Sequence, residues 1–334
     1  MRRRVLVVGL GGTIAMRPAS ERDGNGVVPG LTPGDLVAAV PGLAEADVEI
    51  ETLALRSLPG SAVSFADLDE VRNVVATVVD RGVDGVVMTQ GTDTIEESAY
   101  YLDLHHRSPE PVVVTGAMRN PSLAGADGPA NLLAAIQVAA DPVARERGCL
   151  VVFADEIHAA ARVRKTHTTS PATFRSPDGG PLGTVVEGKP RFTNDASARF
   201  VVPAVERRLS PRVRVVTVTM GDDASVLDGL SSSCDGVVLA AMGAGHVPFD
   251  LVEPLEELAA AMPVVLASRA GAGRVLTTTY GFRGSERDLL ARRLISAGDL
   301  HPFKARVLLH SLLAAGCDEV AVREAFTEAA VLTT

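Results

Sequence analysis

Residues 5–15 read Val5-Leu6-Val7-Val8-Gly9-Leu10-Gly11-Gly12-Thr13-Ile14-Ala15. A continuous apolar run that stops on a cluster of glycines marks a strand buried on both faces and ending in a tight turn. Three arginines ahead of it (Arg2, Arg3, Arg4) give it the outline of a secretory leader. The apolar run is too short for that and no small-residue cleavage site follows, so a buried strand is expected. Six more runs of this kind occur at residues 85–89, 111–115, 150–154, 213–219, 236–240 and 263–268. Between them lie stretches with helical spacing. Residues 66–80 carry Leu68, Val71, Val74, Val75 and Val78 on one face, and residues 131–140 and 251–261 read similarly. Strands alternating with helices predict parallel sheets joined by right-handed crossovers.

A stretch rich in Gly and Pro, then polar, interrupts the alternation at residues 177–211, and the pattern restarts at Val213. The expectation is an α/β chain of two doubly wound domains with mostly parallel sheets. The larger, N-terminal one covers 1–190, a linker covers 191–212, and the smaller, C-terminal one covers 213–334. A length of 334 residues is ample for two such cores. With 41 acidic against 32 basic residues the net charge is -9. That surface repels phosphate backbones, and no basic patch offsets it, so no nucleic-acid partner is expected. No run approaches the roughly 20 apolar residues of a membrane-spanning helix, so no membrane partner is expected either. The three cysteines (Cys149, Cys234, Cys317) are far apart and odd in number, which excludes a disulfide scaffold and fits a reducing, cytoplasmic setting. His105 and His106 are adjacent and point apart, while His158 and His167 lack partners at ligand spacing, so no metal is expected.

In open α/β sheets ligands bind beyond the carboxyl ends of the strands. After the first strand, Ile14 stands where a dinucleotide fingerprint needs its third glycine, and residues 16–26 read as a loop with no helix to cap a pyrophosphate. No nucleotide cofactor is expected. The glycines instead let the backbone approach a ligand and present Thr13. After residues 85–89 comes Gln90-Gly91-Thr92-Asp93-Thr94-Ile95-Glu96-Glu97. Thr94 and Glu97 fit a capping box, which leaves Thr92 and Asp93 to face the cleft. Further on, Arg164-Lys165-Thr166-His167-Thr168-Thr169 sets a lysine among hydroxyls. Lys165 reads either as a solvated loop charge or, near a cleft, as a base. Two strand-end threonines and a lysine together form a nucleophile set.

These segments, with Val114-Thr115-Gly116-Ala117-Met118-Arg119, Ala126-Asp127-Gly128-Pro129-Ala130-Asn131-Leu132 and Lys304-Ala305-Arg306-Val307-Leu308-Leu309, resemble the bacterial-type L-asparaginase/glutaminase family over nearly the whole chain. The resemblance implies a larger N-terminal and a smaller C-terminal α/β domain. It implies a homotetramer of intimate dimers with sites at the dimer interface. It also implies, without a cofactor, hydrolysis of a small-molecule amide, L-asparagine by default. Thr13 would attack the amide carbon and form an acyl-enzyme, ammonia would leave, and water would release aspartate. Thr92, Asp93 and Lys165 match the second catalytic group, with Lys165 taking a proton through Thr92. Asp93 and Ser61 match the positions that hold the substrate's α-amino and α-carboxylate groups. Gly12, Gly91 and Ala117 match the pocket backbone, with the chain around Thr92 and Ala117 at the developing oxyanion. Glu286 matches an acid that reaches into the neighbouring subunit's site; without the resemblance it reads equally as an exposed helix-start glutamate behind the N-cap Ser285.

Several positions depart from the family pattern. The lid stretch 16–30 lacks the tyrosine that helps activate the first threonine, and Gly26-Val27-Val28-Pro29 occupies its place. Leu10 and Gln90 replace the usual Thr and His of their motifs, and His246 stands where some members place Asn. Of the three tyrosines, Tyr100 and Tyr101 read as packing residues, and Tyr280 as structural or as a substitute hydroxyl. A proton-relay group contributes roughly 10²–10⁴-fold. Three functions therefore stay open: asparagine hydrolysis, the same chemistry on a bulkier, modified asparagine-type amide, and an inactive amino-acid binder or sensor.

Overall fold

A computed structural model describes residues 2–19, 26–195, 199–205 and 210–331. The chain divides into two compact units, Met1–Ala196 and Ser197–Thr334. In the first unit the order is β1 (Arg3–Gly11), β2 (Met16–Pro18), β3 (Val27–Pro29), α1 (Pro33–Ala38), β4 (Val48–Leu58), α2 (Phe65–Asp80), β5 (Gly85–Thr89), α3 (Ile95–His105), β6 (Val112–Thr115), α4 (Gly128–Ala140) and β7 (Cys149–Phe153). Then come β8 (Glu156–Ala159), β9 (Arg164–Lys165), β10 (Phe174–Arg175), β11 (Gly183–Val186) and β12 (Lys189–Phe192). Eight of these strands form one sheet in the order β12-β11-β8-β7-β6-β5-β1-β4. The five strands from β4 to β7 in that order run parallel, and β8, β11 and β12 add antiparallel pairs.

The Val-rich runs are the centre of this sheet. β5, β6 and β7 are buried along their whole length, as strands covered on both faces must be. Leu132, Ala135 and Ile136 of α4 pack with Val5, Val7, Val87 and Val113 of the strands in one core cluster. Tyr100 and Tyr101 of α3 are buried packing residues, as expected, and the Tyr101 hydroxyl donates to Asp69 of α2 at 2.9 Å. β4 has no continuous apolar run because it is the open edge of the sheet: none of its residues is buried, and Glu49 and Glu51 lie among its aliphatic ones. The stretch from residue 177, read as the opening of a break, first makes the β11–β12 hairpin. Glu187 and Gly188, both left-handed at φ 51° and 73°, supply the two-residue turn that right-twisted strands require.

The chain leaves β1 for β4 on one side and returns across β1 to β5 on the other. The order of the parallel strands therefore reverses beside β1, and a crevice opens at the carboxyl ends of β1 and β5. The backbone there is unusually tight. β1 ends in a register irregularity between Gly9 and Gly11 against β4, and Gly11 and Gly12 follow at φ 104° and 84°. A Cβ on Gly12 would stand 2.1 Å from Gly91 N, and one on Gly91 would stand 2.4 Å from Gly60 N. Three loops thus meet backbone to backbone, with no side chain between them.

The second unit contains β13 (Val213–Thr217), α5 (Leu230–Ser233), β14 (Gly236–Ala241), α6 (Val252–Ala261), β15 (Val264–Ser268), α7 (Glu286–Ala291), β16 (Ile295–Ser296), α8 (Pro302–Ala314) and α9 (Glu319–Ala329). Its four strands are parallel, stand in sequence order and enclose a separate core around Val237, Leu239, Leu255 and Leu266. No described helix is long and apolar enough to cross a membrane.

Gly91 has φ -67°, which any residue adopts, so an added methyl tests the contact rather than backbone strain. Gly91→Ala is expected to lower Tm by at least about 5 °C, on the order of 2 kcal/mol. Gly34→Ala, inside α1 with its nearest neighbour 3.6 Å away, is expected to raise Tm slightly. Scanning calorimetry of both variants checks this; an unchanged Tm in Gly91→Ala would contradict the three-loop contact.

Candidate active site

Thr13 opens a 3-10 turn, Thr13–Ala15, directly after the tight glycines. The turn is anchored by Gly12 N donating to Leu58 O at 2.9 Å and Ala15 N donating to Gly12 O at 3.0 Å. Thr13 is half-buried. A second 3-10 turn, Thr92–Thr94, leads from β5 into α3 and buries Thr92. Because Gly12 and Gly91 touch, the residues that follow them, Thr13 and Thr92, are held side by side in the crevice.

Lys165 reaches this second turn from β9, which pairs with β10 through Phe174↔Lys165 and Arg175↔Arg164. Its backbone N–H donates to the buried Glu96 carboxylate of α3 at 3.3 Å. Its ammonium donates to Thr92 Oγ1 at 3.0 Å and to Asp93 Oδ1 at 2.7 Å. The Lys165 side chain is only 14% exposed, whereas that of Asp93 is 67% exposed. The solvated-loop reading of Lys165 is thereby excluded: the charge is turned inward onto a hydroxyl and an acid. The arrangement joins a threonine hydroxyl, a lysine ammonium and a largely exposed carboxylate in one hydrogen-bonded chain.

The remaining wall comes from two loops. Ser61 is exposed on the loop whose Gly60 touches Gly91. Ala117 is fully buried on the loop after β6. Asp127 fixes that loop by accepting from Met118 N at 3.0 Å and Arg119 N at 2.8 Å. The buried Asn131 donates to Gly116 O at 3.0 Å and accepts from Ala154 N at 3.0 Å, which ties the loops after β6 and β7 together. Gly12, Thr13, Ser61, Gly91, Thr92, Asp93, Ala117 and Lys165 all belong to the first unit, where Gly12 and Gly60 meet Gly91 and Lys165 meets Thr92 and Asp93.

One expectation is corrected here. Thr94 makes no side-chain cap on α3, so the capping box with Glu97 does not form. Its hydroxyl instead donates to Gly60 O at 2.8 Å and accepts from Gln90 Nε2 at 3.2 Å. Sequence reading also missed Gln90, Glu96, Asp127 and Asn131 as residues that set the loops. All four lie in quoted motifs, and Gln90 was noted there as a replacement for His, but nothing local showed which backbone each one holds.

Two matches cover most of the chain: the asparaginase N-terminal family over residues 4–198 and the glutaminase/asparaginase C-terminal domain over residues 212–326. The chain belongs to the asparaginase family. It is 34% identical over 331 residues to a "Probable L-asparaginase" of Deinococcus radiodurans, covering 97% of each chain. A "Glutaminase-asparaginase" of Pseudomonas fluorescens is 30% identical over 342 residues, covering 97% of this chain and 90% of the relative. Among solved structures, a "Probable Cytoplasmic L-asparaginase" from Campylobacter jejuni matches with a TM-score of 0.86 and 31% identity, over 98% of this chain and 99% of that one.

This asparaginase departs from the family pattern at its lid. The loop expected after Ala15 is in part a β-hairpin: Met16 pairs with Pro29, Arg17 with Val28 and Pro18 with Val27. Its base is bolted by Gly30 N and Leu31 N, both donating to Ala15 O at 3.0 Å. Residues 20–25 lie outside the described part. The described arms carry no hydroxyl. Tyr100 cannot stand in for the missing phenol, because burial, and then the neighbouring Asp103, push its hydroxyl far above the usual tyrosine range.

Glu286 lies in the second unit and is buried, not exposed, at the start of α7. Its Oε1 accepts from Thr279 N at 3.1 Å and Tyr280 N at 2.7 Å, and its Oε2 lies 3.2 Å from His246 Nε2. Burial alone would push this carboxyl up, but the hydrogen bonds from Tyr280 N, its own N–H, His246 and Thr279 N together hold it below 4.5. Ser285 caps α7 by accepting from Asp288 N at 3.5 Å, as expected. Tyr280 and Phe282 stack on the edges of His246 and remain about half exposed. His158 is buried against Ser176 at 3.0 Å, and His167 accepts from Thr169 N and Ser170 N, so both have structural partners.

A carboxyl whose folded pKa is depressed stabilises the fold above its unfolded value, and that stability is lost as pH falls through the folded value. Glu286→Gln is therefore expected to lower Tm at about pH 6 and to shrink the drop in Tm between about pH 6 and pH 3.5. Thermal scans at the two pH values check this; identical drops in both proteins would contradict it.

Proposed function

We propose that the protein hydrolyses the side-chain amide of L-asparagine to L-aspartate and ammonia through a covalent ester on Thr13. The observation that carries this reading is the bond from Lys165 Nζ to Thr92 Oγ1 at 3.0 Å, beside the glycine turn that presents Thr13. In the first step the Thr13 oxygen bonds to the amide carbon as its proton leaves, and the C–N bond breaks to release ammonia. In the second, water adds to the ester carbon and the Thr13 oxygen leaves with a proton. The activating proton passes through the Thr92 hydroxyl to Lys165, which delivers a proton to the departing group. Asp93 receives the α-ammonium group, Ser61 the α-carboxylate, and the backbone of residues 92 and 117 the oxyanion. The names of the Deinococcus and Campylobacter relatives support asparagine as the substrate.

The same proposal includes a homotetramer built as a dimer of dimers. Glu286 would act from one copy on the site of another, through the loop of residues 279–282 that its carboxylate holds. The exposed Phe249, Tyr280 and Phe282 support an interface there. It also includes a cytoplasmic setting, supported by the Campylobacter neighbour's name. The lid favours one second reading. Val27 and Val28 stand in place of a polar ring, which leaves room for an N-substituted asparagine.

Thr13→Ala is expected to abolish ammonia release from L-asparagine with Tm unchanged, and Lys165→Met to lower kcat by at least about 10²-fold. Coupled ammonia assays with L-asparagine, L-glutamine and an N-alkyl asparagine check both variants and rank the substrates. Undiminished turnover in Thr13→Ala would remove the covalent mechanism. Light scattering is expected to give a tetramer; an active monomer would remove the role of Glu286.

A further inference from the structure

We propose that Gln90 is a positioning residue for the reaction, locking the loop of Thr92 and Asp93 onto the loop of Ser61. The inference rests on the amidohydrolase reading. Gln90 follows β5 directly and is fully buried. Its Nε2 donates to Gly91 O and to Thr94 Oγ1, both at 3.2 Å. Thr94 commits its one proton to Gly60 O at 2.8 Å, so toward Gln90 it can only accept. Gly91 O is likewise an acceptor. Two acceptors facing one side chain call for two N–H donors, which the amide supplies and which fix its orientation.

The opposite side of the amide shows what that orientation sacrifices. Gln90 Oε1 is buried and has no hydrogen-bond partner. A buried acceptor left unsatisfied weakens the fold, so the amide's use lies in its other end. Its donors are the useful part. Both donors act within the 91–94 turn, and Thr94, held by one of them, carries the tie on to Gly60, whose backbone already meets that of Gly91. Gln90 also touches a third loop: its N–H donates to Thr115 O at 3.1 Å, and its carbonyl would meet a Cβ on Gly116 at 2.6 Å. Thr92 must face Lys165 and the nucleophile together, and a misplacement of about 1 Å can cost roughly 10²-fold in rate.

Four variants decide the matter, read by kcat, KM, pH profile and Tm. Gln90→Met keeps the volume and removes the donors; it is expected to lower kcat at least about tenfold with Tm nearly unchanged. Gln90→His restores one N–H toward Thr94 and is expected to recover kcat to within about threefold of wild type. Thr94→Val cuts the tie to Gly60 and is expected to raise KM more than it lowers kcat. Gln90→Glu turns a carboxylate toward two acceptors and regains a donor only when protonated, so its activity relative to wild type is expected to rise as pH falls. Wild-type kcat and KM in Gln90→Met, or a pH-independent ratio for Gln90→Glu, would overturn the proposal. If wild-type protein shows no Thr13-dependent ammonia release, the amidohydrolase reading fails separately. Amide hydrogen exchange then tests the lock: faster exchange at residues 59–62 and 91–94 in Gln90→Met supports it, and unchanged exchange refutes it.

Discussion

The contact of three glycine backbones, Gly12 on Gly91 and Gly91 on Gly60, is the constraint on which the site depends. Each of these residues precedes one to which the proposed mechanism gives a role: Thr13, Thr92 and Ser61. A Cβ at Gly12, Gly91 or Gly60 would stand 2.1, 2.4 or 2.8 Å from neighbouring backbone, so the loops would have to move apart. The sheet makes the contact available, because its strand order reverses beside β1 and leaves the ends of β1 and β5 open to the same crevice. The glycines then close the distance that side chains would otherwise keep.

Polar groups convert this contact into a fixed geometry. Lys165 is short of solvent and turned onto Thr92 and Asp93, and its backbone is held by Glu96 and by the β9–β10 pair. Asp127 and Asn131 do the same for the loop of Ala117. Nearly every loop at the crevice is thus tied by a side chain to a backbone group of another loop. Such ties act at short range and give each loop one position. The residues proposed to act can then remain half-exposed, as Thr13 is, or largely exposed, as Asp93 is.

Two features set this chain apart from the pattern its motifs suggest. The described lid arms present Val27 and Val28 and no hydroxyl, although the hairpin base is firmly bonded to Ala15. The second unit keeps Glu286 as a buried, hydrogen-bonded carboxylate that shapes its own loop and orders an exposed aromatic group around His246. The lid arms are thus apolar and the loop held by Glu286 is aromatic, while Thr13, Thr92 and Lys165 are present at the positions the resemblance implies.

Much of this was legible in the amino-acid sequence. The Val-rich runs mark β1, β5, β6, β7, β13, β14 and β15, because strands covered on both faces must be apolar throughout. The motifs named Thr13, Thr92, Asp93 and Lys165, because strand-end hydroxyls beside a lysine form a recognisable chemical set. The sequence did not reveal β4, since an edge strand carries a mixed pattern, nor the β11–β12 hairpin, since its turn residues read as a break. It also assigned Thr94 to a helix cap, a local role, when the hydroxyl serves a contact 34 residues away in the chain. Local composition determined which segments are buried and which residues carry reactive side chains at strand ends, because burial and residue type leave their mark residue by residue. Only the tertiary structure decided which loops touch and which buried amide or carboxylate holds them. Those contacts join distant segments through single hydrogen bonds and glycine-sized gaps, and neither leaves a periodic trace in the chain.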